Sequence, residues 1–252
     1  MDEARIDVGA VLCARAHRPF PLPDRPWLAQ QQWLDLLFAH WRVDPAGVAG
    51  HVPAPLVLDV ADGAGWVGVV PFRLRGLRAR SLPGVPTATD FLELNVRTYV
   101  THDGRPGVYF FSLDASSALA VLGARTLFGL PYHEARMRAW SRDGWTEYES
   151  EREGAADVAF RGRYRPEGDV FTAAPGTLDH FLTERYCLFT VRGQQVSRVD
   201  IHHPPWRLQR ARAELRENGM ARPLGLALAA VPDRLHYSAR QEMVNWAPVA
   251  AR

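Results

Sequence analysis

The segment Glu93-Leu94-Asn95-Val96-Arg97-Thr98-Tyr99 places a polar group at every second residue. In extended chain, successive side chains alternate between faces. A carboxylate, an amide, a guanidinium and a phenol therefore project together from Glu93, Asn95, Arg97 and Tyr99, with Leu94, Val96, Thr98 and Val100 opposite. Two environments fit this pattern. An amphipathic strand puts its polar set in water, and the pattern alone favours that. In the other, the polar face lines the lumen of a barrel and converges on one small ligand. Arg97 would then fork around a carboxylate, held in place by Glu93.

A second group, Gly129-Leu130-Pro131-Tyr132-His133, follows the longest helical segment. Imidazole titrates near neutrality, so His133 can serve as acid or base, although the pentapeptide alone reads more simply as a surface loop. His202-His203-Pro204-Pro205-Trp206 invites a metal reading. Neighbouring residues in extended chain point to opposite sides, however, and no His-x-x-x-His or Cys-x-x-Cys spacing supplies further ligands. No Walker loop, dinucleotide glycine fingerprint or Gly-x-Ser-x-Gly elbow is present, so the expectation is no metal and no cofactor. Cys187 has the apolar setting of a packing thiol. Arg185 begins a strand and could reach a lumen. One exclusion comes from composition. None of the 252 residues is lysine, and all 30 cationic side chains are arginine. Guanidinium stays protonated, so no lysine amine exists to attack a carbonyl and form a Schiff base.

The framework around these groups reads as ordinary globular material, 47% hydrophobic and 23% charged, with a net charge of +2. That charge is too small to argue for nucleic acid or an anionic membrane, and no apolar run approaches a span. Cys13 and Cys187, well separated and without a secretory signal, fit reduced thiols in a cytoplasmic protein. Residues 1–24 read as an extended, proline-rich arm, and residues 25–250 as one domain.

Within that domain, Trp33–Trp41 fits a buried strand or a helix, and Asp44-Pro45 starts a short helix running to about His51. Leu56–Val60 and Gly65–Arg75 predict a hairpin around Asp62-Gly63, and 82–90 a loop. Arg73, Arg75, Arg78 and Arg80 predict a solvated strand face or loop. Strands at Glu93–Thr101 and Gly107–Leu113 precede one long helix, Ala115–Phe128. Asp114 or Ser112 is its expected cap, Gly129 its stop, and Leu119, Val121, Leu122, Leu127 and Phe128 its buried face. Further strands are expected at 134–139, 145–151, 157–164, 186–192, 195–202 and 235–246, with short helices at 178–184 and near 220–224. Many strands with few helices predict an α+β domain on a strongly bent or closed antiparallel sheet.

Trp33–Trp41, Trp66–Phe72, Glu93–Val100, Phe181–Tyr186 and His202–Trp206 together resemble the YqjF-like family of uncharacterised bacterial proteins, in order and over nearly the whole domain. That family is similar in fold to acetoacetate decarboxylase. The resemblance implies a cone-like barrel of antiparallel strands around a cavity, with a few short helices and one longer one. It also implies that Gly129–His133 stands where the decarboxylases carry a Gly-aromatic-Pro-Lys-Lys turn, the lysines being replaced by Tyr132 and His133. It favours the lumenal placement of Glu93, Asn95 and Arg97. Two functions follow as expectations. The first is a cofactor-independent enzyme acting on a small organic acid or carbonyl compound. In it Arg97, Asn95 and Tyr99 bind, Glu93 or His133 moves protons and Tyr132 donates to an oxyanion. The second is a non-catalytic ligand-binding or sensing protein that retains the barrel.

Overall fold

The computed structural model describes residues 6–80 and 89–251. The chain runs through α1 (Val8–Cys13), β1 (Ala29–Val43), α2 (Pro45–Ala49), β2 (Val57–Leu58) and β3 (Gly65–Ala79). It continues with β4 (Phe91–His102), β5 (Arg105–Ala115), α3 (Ala118–Phe128), β6 (Tyr132–Arg142), β7 (Trp145–Arg152) and β8 (Ala159–Phe171). Last come α4 (Leu178–Thr183), β9 (Cys187–Arg192), β10 (Gln195–His202), β11 (Leu208–Asn218), a 3-10 turn at Arg222–Leu224, β12 (Arg234–Asn245) and β13 (Val249–Ala250). No helix among the described residues is long and apolar enough to cross a membrane.

The strands form one sheet that closes on itself twice. From β5 the order runs β6-β7-β8-β11-β12-β1-β3-β4 and returns to β5. A shorter circuit leaves β5 through β9 and β10 and rejoins at β12, where Ile201 pairs Asn245 and His202 pairs Val244. Both circuits share β12, β1, β3, β4 and β5. Leu94, Val96, Trp41, Tyr148, Phe160 and Tyr164 pack solidly within the larger one. The opposite faces of the shared strands are left to the smaller circuit.

The sheet is not purely antiparallel, since β5 pairs β6 and β9 in parallel. The hairpin expected around Asp62-Gly63 is corrected as well. The turn forms, with Ala61 bridged to Ala64, but β2 pairs β4 rather than β3, because β4 already offers Val100 and Thr101 as an open edge. The N-terminal arm carries an unforeseen helix, α1, capped by Asp7 and packed through Val11 on Val244 and Trp246. Arg25, with Arg105 and Arg198, converges on buried Asp200 and straps the arm down. Cys13 is exposed and Cys187 buried; both are free. Except for Thr89 and Asp90, the expected loop at 82–90 lies outside the described residues.

The long helix starts later than expected because β5 keeps extended geometry through Ala115, and the cap is Ser117 rather than Asp114 or Ser112. Gly129 closes it at φ 67°, the left-handed conformation that favours glycine. Its expected apolar face is largely not buried. Leu119, Leu122 and Leu127 are 59%, 62% and 68% exposed, and Val121 alone is fully covered. The reason is that α3 meets the sheet mainly at β5 and β6, with Arg192 and Thr190 of β9 bonding carbonyls near its C-terminus, and Val121 is its one fully inward side chain. Two stability results follow. Ser117→Ala is expected to cost about 1 kcal/mol, the usual cost of a lost cap. Leu122→Gln should change stability by no more than about 0.5 kcal/mol, as surface changes do. Urea unfolding of both variants checks this, and a large loss from Leu122→Gln would mean that something covers α3.

Candidate binding cavity

Because β4 is shared, its alternation assigns one face to each circuit. Leu94 and Val96 pack in the solid core, while Glu93, Asn95 and Arg97 line a cavity of about 400 Å³ in the smaller circuit. The polar face is therefore lumenal, and the solvated-strand alternative is corrected. Most of the wall is apolar: Phe72 and Leu74 of β3, Phe110 and Leu113 of β5, Leu188 of β9, and one side of α3.

Glu93 is buried, and its Oε2 accepts a hydrogen bond from the Tyr132 hydroxyl at 2.8 Å. Burial pushes its carboxyl up from 4.5 to about 7, against the lowering pull of Tyr132, Asn95 and Arg97. Tyr132 is held well above the usual phenol range by burial and by Glu93, so it stays a donor. Arg97 forms no ion pair with Glu93, contrary to expectation; its guanidinium lies over the Phe38 ring at 5.2 Å. Burial lowers its pKa from 12.5, yet guanidinium remains charged at neutral pH. Arg97 Nε and Asn95 Oδ1 are buried without any hydrogen-bond partner. An orphaned buried polar atom costs about 1–3 kcal/mol, so each calls for a missing partner.

Two residues that the sequence did not mark as functional join this set. Trp33 and Trp206 line the cavity, stack at 5.6 Å, and both have an indole N–H without an acceptor. Phe38 links the cluster, meeting Trp206 edge-on at 4.9 Å on one side and Arg97 on the other. Both tryptophans sat in recognisable segments, but an apolar-rich stretch gives no hint that an N–H will be left unpaired. Arg185 does reach the lumen. Its charge is already met by Asp59 at 2.8 Å, and its guanidinium stacks on Phe181 at 4.3 Å. Arg97 thus stands as the cavity's uncompensated cation when Glu93 is protonated.

Two expected site residues lie elsewhere. Tyr99 projects to the same side of β4, but it is fully buried and does not line the cavity. Its hydroxyl donates to Leu182 O at 2.6 Å and meets His40 Nε2 at 2.6 Å. With the phenol proton spent on Leu182, the imidazole must be the donor, so Tyr99 has no proton left for a ligand. His133 follows Tyr132 on β6 and so points to the other face, opposite Asp114 and beside Arg152. Burial and the arginines Arg152 and Arg125 lower it to about 4. Neither residue is brought to the cavity by this fold. His203 lines the wall, whereas His202 turns away to Val11 O at 2.8 Å, as alternation in extended chain requires. Among the described residues, no three His, Cys, Asp or Glu side chains are grouped to hold a metal ion.

The architecture and the segments that build the cavity match known proteins. A family model, DUF2071, described as an uncharacterized conserved protein, matches residues 30–242. The chain belongs to the DUF2071 family. A relative of this DUF2071 protein is the uncharacterized protein YqjF of Bacillus subtilis (strain 168), 46% identical over 225 residues, covering 89% of this chain and 93% of YqjF. Among solved structures, acetoacetate decarboxylase from Legionella pneumophila superposes with a TM-score of 0.61 at 12% identity, over 96% of this chain and 95% of that one. The enduracididine biosynthesis enzyme MppR, with HEPES buffer bound, gives 0.63 at 13% identity, over 91% and 88%. At those identities the likeness establishes the fold. This chain therefore has the acetoacetate decarboxylase-like fold that the resemblance implied.

Proposed function

We propose that this protein binds a carboxylate- or carbonyl-bearing metabolite in the lumen and moves a proton on it without a cofactor or a Schiff base. One observation carries this reading. One cavity is lined by an uncompensated guanidinium, two tryptophans with unpaired indole N–H groups, an asparagine with an unpaired amide oxygen and a carboxyl group whose pKa burial raises to about 7. Such perturbed and unsatisfied groups cluster where ligands bind. A fold neighbour, MppR, has been solved with pyruvate, an oxo-acid. Here Arg97 would hold the acid as a fork, and ionised Glu93 would take a proton from the carbon beside the carbonyl. The C–H electron pair would become the C=C bond of the enolate as the carbonyl π pair moves to oxygen, and reversal would return the proton from Glu93 to carbon.

Incubation with a panel of oxo-acids in D2O, followed by proton NMR, tests the step. Loss of the signal beside the carbonyl is expected, at a rate cut at least about 100-fold in Glu93→Gln. An acid that stabilises the protein but never exchanges would favour the non-catalytic binding protein. The hydrogen bond from Tyr132, which already occupies one oxygen of Glu93, is the observation that favours that second reading.

A further inference from the structure

The polar groups occupy only part of the cavity. Its volume of about 400 Å³ falls in the range that encloses drug-sized molecules, whereas a three- or four-carbon acid would leave most of it empty. The remaining wall is apolar. From α3, Leu119, Ala120, Gly123, Ala124, Leu127 and Phe128 face it. Small residues at 120, 123 and 124 keep the helix from filling the space beneath it. A Cβ built on Gly123 meets no atom within 4 Å, so the room there is unoccupied by protein. Leu119 and Leu127 both line the cavity and reach solvent, which places its mouth along α3.

Resting on the reading that Arg97 receives an acid or carbonyl head, we infer that the ligand carries a large apolar tail. The substrate class is an amphipathic acid, with a hydrocarbon chain or ring system on the order of ten carbons running beneath α3. Dispersion and desolvation along the α3 and β3 walls supply the affinity, and the cluster at Glu93, Asn95 and Arg97 fixes the orientation.

Calorimetric titration of the full chain with straight-chain carboxylates from acetate to decanoate, each below its micelle concentration, decides the matter. Affinity is expected to rise about fourfold per added methylene until the cavity is full. Gly123→Leu adds a side chain where there is open space in a helix that tolerates it. It should weaken decanoate at least tenfold more than it weakens butanoate. Arg97→Met should weaken every length alike. Equal affinity for butanoate and decanoate overturns the tail while leaving the acid site standing. Decanoate binding untouched by both variants is adsorption outside the lumen and overturns the proposal. Binding of no acid at all removes the acid site itself.

Discussion

Arg97→Met is expected to weaken carboxylate binding sharply and, in the same protein, to raise the stability of the unliganded fold. The two effects have one cause. Arg97 is held in an apolar wall over Phe38 with no carboxylate partner and with Nε unbonded, so the empty protein bears a desolvated charge. Methionine keeps the length of the side chain and its contact with the ring but removes that burden. A gain of about 1–3 kcal/mol is the size expected for relieving an unsatisfied buried group. In a chain of this length that is a rise of roughly 2–10 °C in Tm. The loss in binding should be on the order of 100-fold, the value of a charge-assisted, two-pronged contact. Thermal unfolding and calorimetry of the same preparation check both. A variant that melts lower yet binds acids normally would make Arg97 a structural post.

Glu93→Gln should flatten part of the pH dependence of stability. The carboxyl goes from 4.5 in the unfolded chain to about 7 in the native cavity. Below pH 4.5 both states are protonated and Glu93 adds no penalty. Between pH 4.5 and about 7 the native state holds a proton that the unfolded chain has released, so stability falls as pH rises, and the loss is complete above that window. The loss amounts to about 3 kcal/mol. His133, lowered to about 4, acts in the opposite sense, gaining stability as pH rises toward the ordinary histidine value. The diagnostic quantity is therefore the difference between parent and Glu93→Gln, from urea titrations at half-unit steps from pH 4 to 8. A difference that stays constant with pH would mean that Glu93 ionises as an ordinary surface carboxylate.

The parts of this fold that show in the sequence are those where local pattern and tertiary environment agree. Strand β4 is the clearest case, with alternating polar and apolar residues that match its two unlike surroundings. Gly129 and Thr177 mark a helix end and a helix start by their own chemistry. Strand β11 is illegible in the sequence for the opposite reason. Leu208–Asn218 consists mostly of arginine, alanine, glutamate and leucine, good helix formers, and is made a strand by its partners. Arg163 reaches Glu214 at 2.7 Å and Arg161 meets Glu217, both directly opposite on paired strands, and Arg216 reaches over β8 to Glu147 of β7 at 2.9 Å. None of those partners is local. His133 misled through a shift of one residue. The turn at Gly129 is legible in the sequence, but the β-period sends Tyr132 inward and its neighbour outward. The exposed leucines of α3 followed a helical pattern whose covering surface the sequence could not supply.

Sharing β4 between a packed circuit and a hollow one also bears on how such a protein changes over generations. Replacing an even-numbered residue such as Leu94 or Val96 disturbs the packed circuit and is paid in folding. Replacing an odd-numbered one such as Asn95 alters what the lumen accepts and leaves the packed face untouched. A lineage built this way can drift in ligand preference one side chain at a time without giving up its packed core. Deep mutational scanning of positions 93 to 97, read separately for abundance and for ligand retention, should show the two scores alternating along the strand.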